Sequence, residues 1–504
     1  MMKFARLTAR LTARPSAASA ALAATLLLCT PASGAALTWI TNVKLVSPER
    51  LERIETGSVL IDGERIVRVE RGPAGRAPAG ATVVDGQGDY LTPGLIDAHV
   101  HLHAVPGMRM EQGASGDSLA QAYFRQMPRS FLYHGFTTVI DLAVSDFGVI
   151  ERLRKEPLHP DVFHCGEALV LANGYPMSFF APDKRFQSFG NYLFDPAMPT
   201  PVPERFAPSA HNVAAGVARV VKAGGICVKT HFERGFGTER QLPVMSAAKF
   251  AEVRAATTEA GKVLVTHANS FEAQSFAVAG RADVLAHGMW HWGAMNGQAG
   301  LPGEIRTLLD RIVERRIGYQ PTMQVLYGLR AYVEPGYLDD PALRKVVPAA
   351  LLAWFATPEG QWFKPEVTEG EPDAAVLEGM QGPLRRQRAV VAYLASRDAN
   401  FVFGSDTPSS PTYGNLPGLN GYREIQQLHA AGMSLAQIFK AATINNARTF
   451  KLDGELGTIE AGKAANLLLM TRSPLDDVTA YDSVVTVWVR GAQSARRALA
   501  ADHE

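Results

Sequence analysis

The chain reads as an α/β protein, a (β/α)8 TIM-like barrel with a small composite β-sandwich domain drawn from both termini. Three observations predict this. Short apolar runs alternate with helical patterns through the middle of the chain, and eight such runs can be counted, which favours a barrel over an open parallel sheet. The polar residues gather toward the C-terminal ends of those runs, where a barrel keeps its chemistry. The two ends of the chain share a different style, with β-branched runs broken by Gly, Asp and Asn.

Residues 1–35 come first and stand apart. Lys3, Arg6, Arg10 and Arg14 precede an Ala/Leu-rich run from about Ala17 to Leu28, and Ala32-Ser33-Gly34-Ala35 closes it with small residues. That order is the order of an export signal peptide, cleaved near Gly34 or Ala35. The apolar run is short for a membrane span. The expected destination is therefore the periplasm or the medium. Cys29 raises lipid attachment as an alternative, which the bulky Leu28 before it fits poorly.

Residues 36–92 carry "TWITNVKLVSP", "GSVLIDGERIVRVE" and "ATVVDGQGDYL", and residues 451–504 return to the same style in "GTIEAGKAANLLLMTRSP" and "SVVTVWVRG". They are expected to form the two parts of the β-sandwich. Residues 93–450 hold the barrel. Its strands are read in "GLIDAHVHLH", "HGFTTVIDLA", "DVFHCGEALVL", "GGICVKTHF", "KVLVTHANS", "DVLAHGMW", "IGYQPTMQV" and "NFVFGSDTP". Helical patterns such as "SAAKFAEVRAATTEAG" and "EIRTLLDRIVERR" separate several of them. Long connections follow the third and seventh strands. Their aromatics, among them Phe179, Phe180, Tyr192, Tyr327, Trp354 and Trp362, suggest a pocket wall or lid.

Composition narrows the function. Lys plus Arg number 50 and Asp plus Glu 49, so the overall balance shows no sign of a nucleic-acid partner. Beyond the leader only Cys165 and Cys227 remain, too few for a disulfide framework. Both lie in apolar runs and are expected as buried free thiols, with a single disulfide in an oxidising compartment as the alternative.

The chemistry is carried by run-terminal polar residues. On a strand, residues i and i+2 face the same way, so His99 and His101 project together and can bind one metal ion. His103 continues the row beyond the strand end and is expected to be a pocket residue. Lys229 sits inside an apolar strand, where an unpaired ammonium is costly. His267, His287 and Asp406 each close another apolar run. One such residue is an ordinary buried polar group, but the full set would require repeated coincidence. Imidazole and carboxylate suit zinc and similar divalent ions. A neutral lysine amine can add carbon dioxide to give an anionic carbamate able to bridge two cations.

These motifs, taken with "PGLIDAHVHLH", "VKTH", "THANS", "LAHG", "FGSDTP" and "GTIEAGKAANLLL", resemble the metal-dependent amidohydrolase superfamily, in order and over nearly the whole mature chain. The nearest branch is the imidazolonepropionase-like, prolidase-like one. The resemblance implies a binuclear site, usually zinc. His99, His101, carboxylated Lys229 and Asp406 would hold one ion, and Lys229, His267 and His287 the other. The implied activity is cleavage of an amide bond, peptide-like or N-acyl amino acid, by hydroxide held between the metals. Asp406 would carry the proton and His231 would contact the substrate or its oxyanion. Tyr175 and Arg234 are weaker candidates for a substrate carboxylate. Ser270 stands where many deaminases of the superfamily carry Glu, which argues against a mononuclear deaminase. Asn466 replaces a common Asp and looks remote from catalysis.

The expected partner is a small-molecule amide, dipeptide or N-acyl amino acid, with no nucleic acid and no membrane span, on a homo-oligomer. Two alternatives use the same fold. One is a lactonase or phosphotriester hydrolase, and the other a non-enzymatic binding protein, whose mark would be missing metal ligands.

Overall fold

The β-branched segment at the start of the described chain extends into strand β1 (Leu37–Leu45), paired antiparallel with β2 (Glu55–Asp62), which pairs with β3 (Arg65–Arg71). Strands β4 (Thr82–Asp85) and β5 (Tyr90–Pro93) run parallel to β1. The computed structural model describes residues 37–503 apart from residues 74, 110, 111, 114–116, 199, 207, 237–239 and 410. The expected leader, residues 1–35 with Cys29, lies outside the described residues.

Seven of the eight barrel runs form strands: β6 (Leu95–Val100), β7 (Phe136–Asp141), β8 (Asp161–His164), β11 (Cys227–His231), β12 (Val263–His267), β13 (Val284–Ala286) and β14 (Gly318–Gln320). Two short strands, β9 (Val170–Leu171) and β10 (Tyr192–Leu193), pair inside the insertion after β8. The chain ends with β15 (Leu467–Met470), β16 (Val484–Val489) and β17 (Ala492–Ala495). β15 pairs antiparallel with β5, so strands from both chain ends share one sheet. Its apolar face joins Ile40, Val59, Ile61 and Leu91 to Ile459, Leu467, Leu469 and Trp488.

β6, β7 and β8 form one parallel sheet, and β11 to β14 form another. Helices follow the strands as the alternation predicts. Those after β11 and β13, Ala247–Glu259 and Gly303–Glu314, coincide with the two helical patterns named above. Ser246 accepts the N–H of Lys249 to cap the first of them. The two sheets are linked by a bridge between Leu169 and Thr230 on one side and by residues 401–407 on the other. The arrangement is TIM-barrel-like.

Residues 401–406, expected as the eighth strand, form no regular strand. Side chains explain this. Phe403 N–H donates to Asn446 Oδ1 (3.0 Å) and Ser405 N–H to Asp97 Oδ1 (2.9 Å), where a neighbouring strand would offer carbonyls. Asp406 then takes φ 57°, in the left-handed region. Gly404 is required by close approach, since a Cβ there would lie 2.6 Å from both His99 Cβ and Gln320 Nε2. The run still bonds to both neighbours, through Val402 N–H to Tyr319 O and Asp406 N–H to His99 O.

The cysteine expectation is corrected. Cys165 and Cys227 form a disulfide between the end of β8 and the start of β11. Both apolar runs end in the same interior layer, which brings the two thiols face to face. That layer also contains Ile96, Ala98, Ile140, Leu142, Val263, Val265, Val284, Ala286 and Val402. Strand alternation continues two of these rows upward into polar residues, Cys227–Lys229–His231 and Val263–Val265–His267. The apolar layer is thus the floor of the site.

Candidate metal centre and active site

His99 and His101 both point at Asp406. One ligand atom each from His99, His101 and Asp406 lies within 4.8 Å of the others. Both Nε2 atoms sit 3.0 Å from Asp406 Oδ1, and Asp406 Oδ2 lies 3.7 Å from His287 Nδ1. Backbone bonds lock this half: Asp406 N–H donates to His99 O (2.7 Å) and His101 N–H to Thr407 O (2.8 Å).

The other half follows the strand order. Ring centroids step from His99 to His287 (5.0 Å), from His287 to His267 (4.4 Å) and from His267 to His231 (5.5 Å). Lys229 is 1% exposed, and its ammonium makes no ion pair among the described residues. Burial pushes its amine down to about 8, opposed by Asp406. Burial also depresses His99, His231, His267 and His287, and the Lys229 charge adds to the effect on each. All six expected ligands and His231 therefore meet in one place.

Sequence reasoning missed the groups that hold them. His99 Nδ1–H donates to Gln320 Oε1 (2.9 Å), and Gln320 Nε2 donates to Ala98 O (3.1 Å). Glu233 is buried and accepts from His267 Nε2 (3.1 Å), Asn269 Nδ2 (2.6 Å) and Gly235 N–H (2.9 Å). Burial opposes ionisation of Glu233, but the contacts with His267, Gly235 and Asn269 together outweigh it and hold the carboxyl below its ordinary range. Thr322 Oγ1 lies 3.0 Å from His287 Nδ1. Beneath His99, Asp97 accepts from the N–H groups of His99 and Ser405, and burial pushes its carboxyl up to about 7. Glu424 accepts from Met323 and Gln324 N–H, and burial pushes it up to about 8. Asp97 and Gln320 had a signal, a polar residue at an inward strand position. Glu233 sits in a loop and had none.

Burial would raise the Asp406 pKa, but the contacts with His99, His287 and His101 together hold it well below the usual carboxylate range. His99 is the informative group. Burial pushes its imidazole down to about 3, so the ring is neutral, and Gln320 claims the proton on Nδ1. His99 Nε2 lies 3.0 Å from Asp406 Oδ1, buried and without another hydrogen-bond partner among the described residues. A proton or a metal ion between the two atoms satisfies that approach. The donor set fits a divalent metal.

The remaining expectations divide. Tyr175 packs against His267 (4.8 Å) and His231 (5.4 Å), at the mouth of the site. Arg234 is instead engaged by Glu272, with Nε 3.0 Å from Oε1 and Nη2 2.9 Å from Oε1. His103 is adjacent to His101, at 6.3 Å between centroids, and burial pushes its imidazole down to about 4. Tyr192 is not a pocket residue. It is buried with Val170, Met177 and Phe186 in the core of the insertion after β8. Ser270 caps the helix Phe271–Ala279. Asn466 donates to Asp161 Oδ2 at the start of β8, at the opposite end of the strands from the metal cluster.

Comparison with known proteins places this geometry in context. Residues 90–313 and 360–493 match the model of the Amidohydrolase family. The chain is 26% identical over 120 residues to a 5-methylthioadenosine/S-adenosylhomocysteine deaminase of Bacillus cereus (strain 03BB102), a match spanning 23% of this chain and 26% of that relative. Solved structures sharing the fold include a Xaa-Pro dipeptidase with bound methionine (TM-score 0.62, 20% identity, covering 91% of this chain and 100% of that one). Ochratoxinase of A. niger superposes with TM-score 0.64 at 17% identity, covering 92% and 96%. Phenylurea hydrolase B does so with TM-score 0.62 at 21% identity, covering 92% and 98%.

Proposed function

Because the chain belongs to the amidohydrolase family, and so is a metal-dependent hydrolase acting on carbon–nitrogen bonds, we propose that it cleaves an amide of the peptide-like or N-acyl amino acid kind at a two-metal site. The observation that carries the metal reading is the convergence of His99 Nε2, His101 Nε2 and an Asp406 carboxylate oxygen within 4.8 Å of one another. His99, His101 and Asp406 would hold one ion. Lys229, as a carbamate, would join the two, and His267 and His287 would complete the second. When bound, such ions, zinc by donor type, supply Lewis acidity and make water acidic enough to react near neutral pH.

The chain's own residues do the rest. Asp406 Oδ2 has only the 3.7 Å contact to His287, so it is the oxygen free to take the proton of the attacking water and return it to the leaving amine. His231 Nδ1 is buried without a hydrogen-bond partner among the described residues, and Tyr175 flanks it. These two are placed to hold the substrate carbonyl as charge develops on it. The low pKa of Lys229 favours the neutral amine that carbamate formation needs.

Two further readings belong with this proposal. The sheet shared by both chain ends would form a separate domain around the barrel of residues 93–450. Residues 1–35 would direct export, which the Cys165–Cys227 disulfide supports, since disulfides persist in oxidising compartments.

The test is a hydrolysis screen over N-acyl amino acids, dipeptides, lactones and phosphotriesters, on protein loaded with zinc and bicarbonate, with metal content measured alongside. Amide turnover with two ions per chain is expected. Turnover of lactones or phosphotriesters alone would overturn the substrate class, and metal-free inert protein would overturn the enzyme.

A further inference from the structure

The geometry points to an aryl-binding wall at the mouth of the site, formed by Tyr175, Phe179 and Phe236, that takes a flat aromatic group of the substrate. Large hydrophobic side chains that remain exposed are few among the described residues, and only two are aromatic, Phe179 at 68% and Phe236 at 36%. Both stand at one place. Phe179 comes from the insertion after β8 and Phe236 from the loop after β11, and both pack on Tyr175, at 5.4 and 5.6 Å between centroids. Their own rings lie near-parallel, 19° apart in plane and 6.5 Å apart in centre.

The wall is continuous with the reaction centre. Tyr175 touches Phe179 and Phe236 on one side and His231 and His267 on the other. Its hydroxyl is pushed up by burial and by the charges of Asp406 and Glu233. Two exposed phenyl rings from separate loops leave apolar surface in water that a bound ring would cover. Aromatic pairs favour offset-stacked and edge-to-face contacts, and this wall offers both. The neighbouring cation, Arg234, is committed to Glu272, so it is not held out toward a substrate carboxylate. Recognition on this side is therefore by ring and not by charge.

The bond cleaved rests on the amide reading above, whereas the ring preference does not. The test uses the metal-loaded full chain and two substrate pairs, N-acetylphenylalanine against N-acetylalanine and N-benzoylglycine against N-acetylglycine. At least one aromatic member is expected to exceed its partner in kcat/KM by about tenfold, chiefly through KM, and Phe179→Ala and Phe236→Ala should each collapse that ratio. Equal kcat/KM within both pairs, or a ratio unmoved in both variants, overturns the wall. Phe179 is largely exposed, so its removal leaves folding intact, which a thermal melt checks. If the wild-type protein cleaves none of the four, calorimetric binding of phenylacetate against acetate decides. A preference for phenylacetate that is lost in Phe179→Ala keeps the wall while the amide reading falls, and no preference overturns the wall itself.

Discussion

The two halves of the candidate metal site are built differently. The half made of His99, His101 and Asp406 is internally complete: two imidazoles face one carboxylate oxygen, and main-chain bonds between β6 and residues 404–407 hold all three. The half made of Lys229, His267 and His287 holds an ammonium and two bases, on β11, on β12 and just past the end of β13, with no carboxylate of its own. Its nearest anion, Glu233, is lent by a loop and spent on His267. One half is a preformed cation site. The other needs a negative charge to become one, and a carbamate on Lys229 would supply it. The contrast predicts that loss of one half removes metal outright, whereas loss of the other weakens it in steps.

The largest expected effect is in the preformed half. Asp406→Asn removes the charge that opposes His99 and His101 and also the proton carrier. Hydrolysis should fall by about 10³-fold or more, with metal content falling in elemental analysis. Full metal content with full activity would end the reading of this half. Lys229→Ala comes next. Activity should drop by at least about 100-fold, by analogy with the loss of other metal-site groups, and bound metal should fall by one ion per chain. Unchanged activity would remove the two-metal reading while leaving the first half standing.

This division also marks what was legible in the sequence. The candidate ligands were legible because each stands in or at the end of an apolar run, and strand alternation is a local rule that applies without the fold. The two parallel sheets of the TIM-barrel-like arrangement, the helices and the sheet shared by both chain ends followed from the same periodicity. The groups that orient the ligands were not legible, because their partners are set by tertiary geometry. Gln320 meets His99 across 221 positions of sequence. Glu233 reaches His267 and Asn269 from a loop with no periodicity. The eighth strand failed for the same reason, since Asp97 and Asn446 side chains displaced the strand pairing that the apolar run suggested. The disulfide required knowing that two apolar runs share one interior layer.

Glu233 sharpens the comparison at a smaller scale. With its carboxylate on Nε2, His267 keeps its proton there and leaves Nδ1 for a metal. Glu233→Gln should therefore weaken metal binding to the second half by about 10- to 100-fold, the range seen when such orienting groups are removed. Titration of the apo protein with zinc checks it. The tighter class of site, at His99, His101 and Asp406, should keep its affinity. A loss shared equally by both classes would mean the halves are not separate.

The smallest effect lies beneath the preformed half and concerns stability. Glu424 and Asp97 are buried carboxyls pushed up to about 8 and about 7. A folded-state pKa above the unfolded value means that the folded protein binds more protons, so stability is greatest at low pH and is lost as pH rises through the folded pKa. Lys229, lowered to about 8, has the opposite sign and begins to offset the loss only toward pH 8; the histidines share that sign, because burial lowers them, but their unfolded forms are already largely neutral above pH 7. Between pH 7 and 8, metal-free protein should therefore lose stability, each carboxyl contributing up to about 1.4 kcal/mol per pH unit. Glu424→Gln cannot ionise and should flatten most of that slope, because Asp97 has largely titrated by pH 7.5. Urea midpoints at quarter-unit steps across this window check it. Unchanged slope in the variant would mean that Glu424 is already ionised at pH 7, held so by the N–H groups of Met323 and Gln324. The turn after β14 that follows Gln320 would then be anchored by a charge, and the preformed half would owe part of its rigidity to electrostatics as well as to its main-chain bonds.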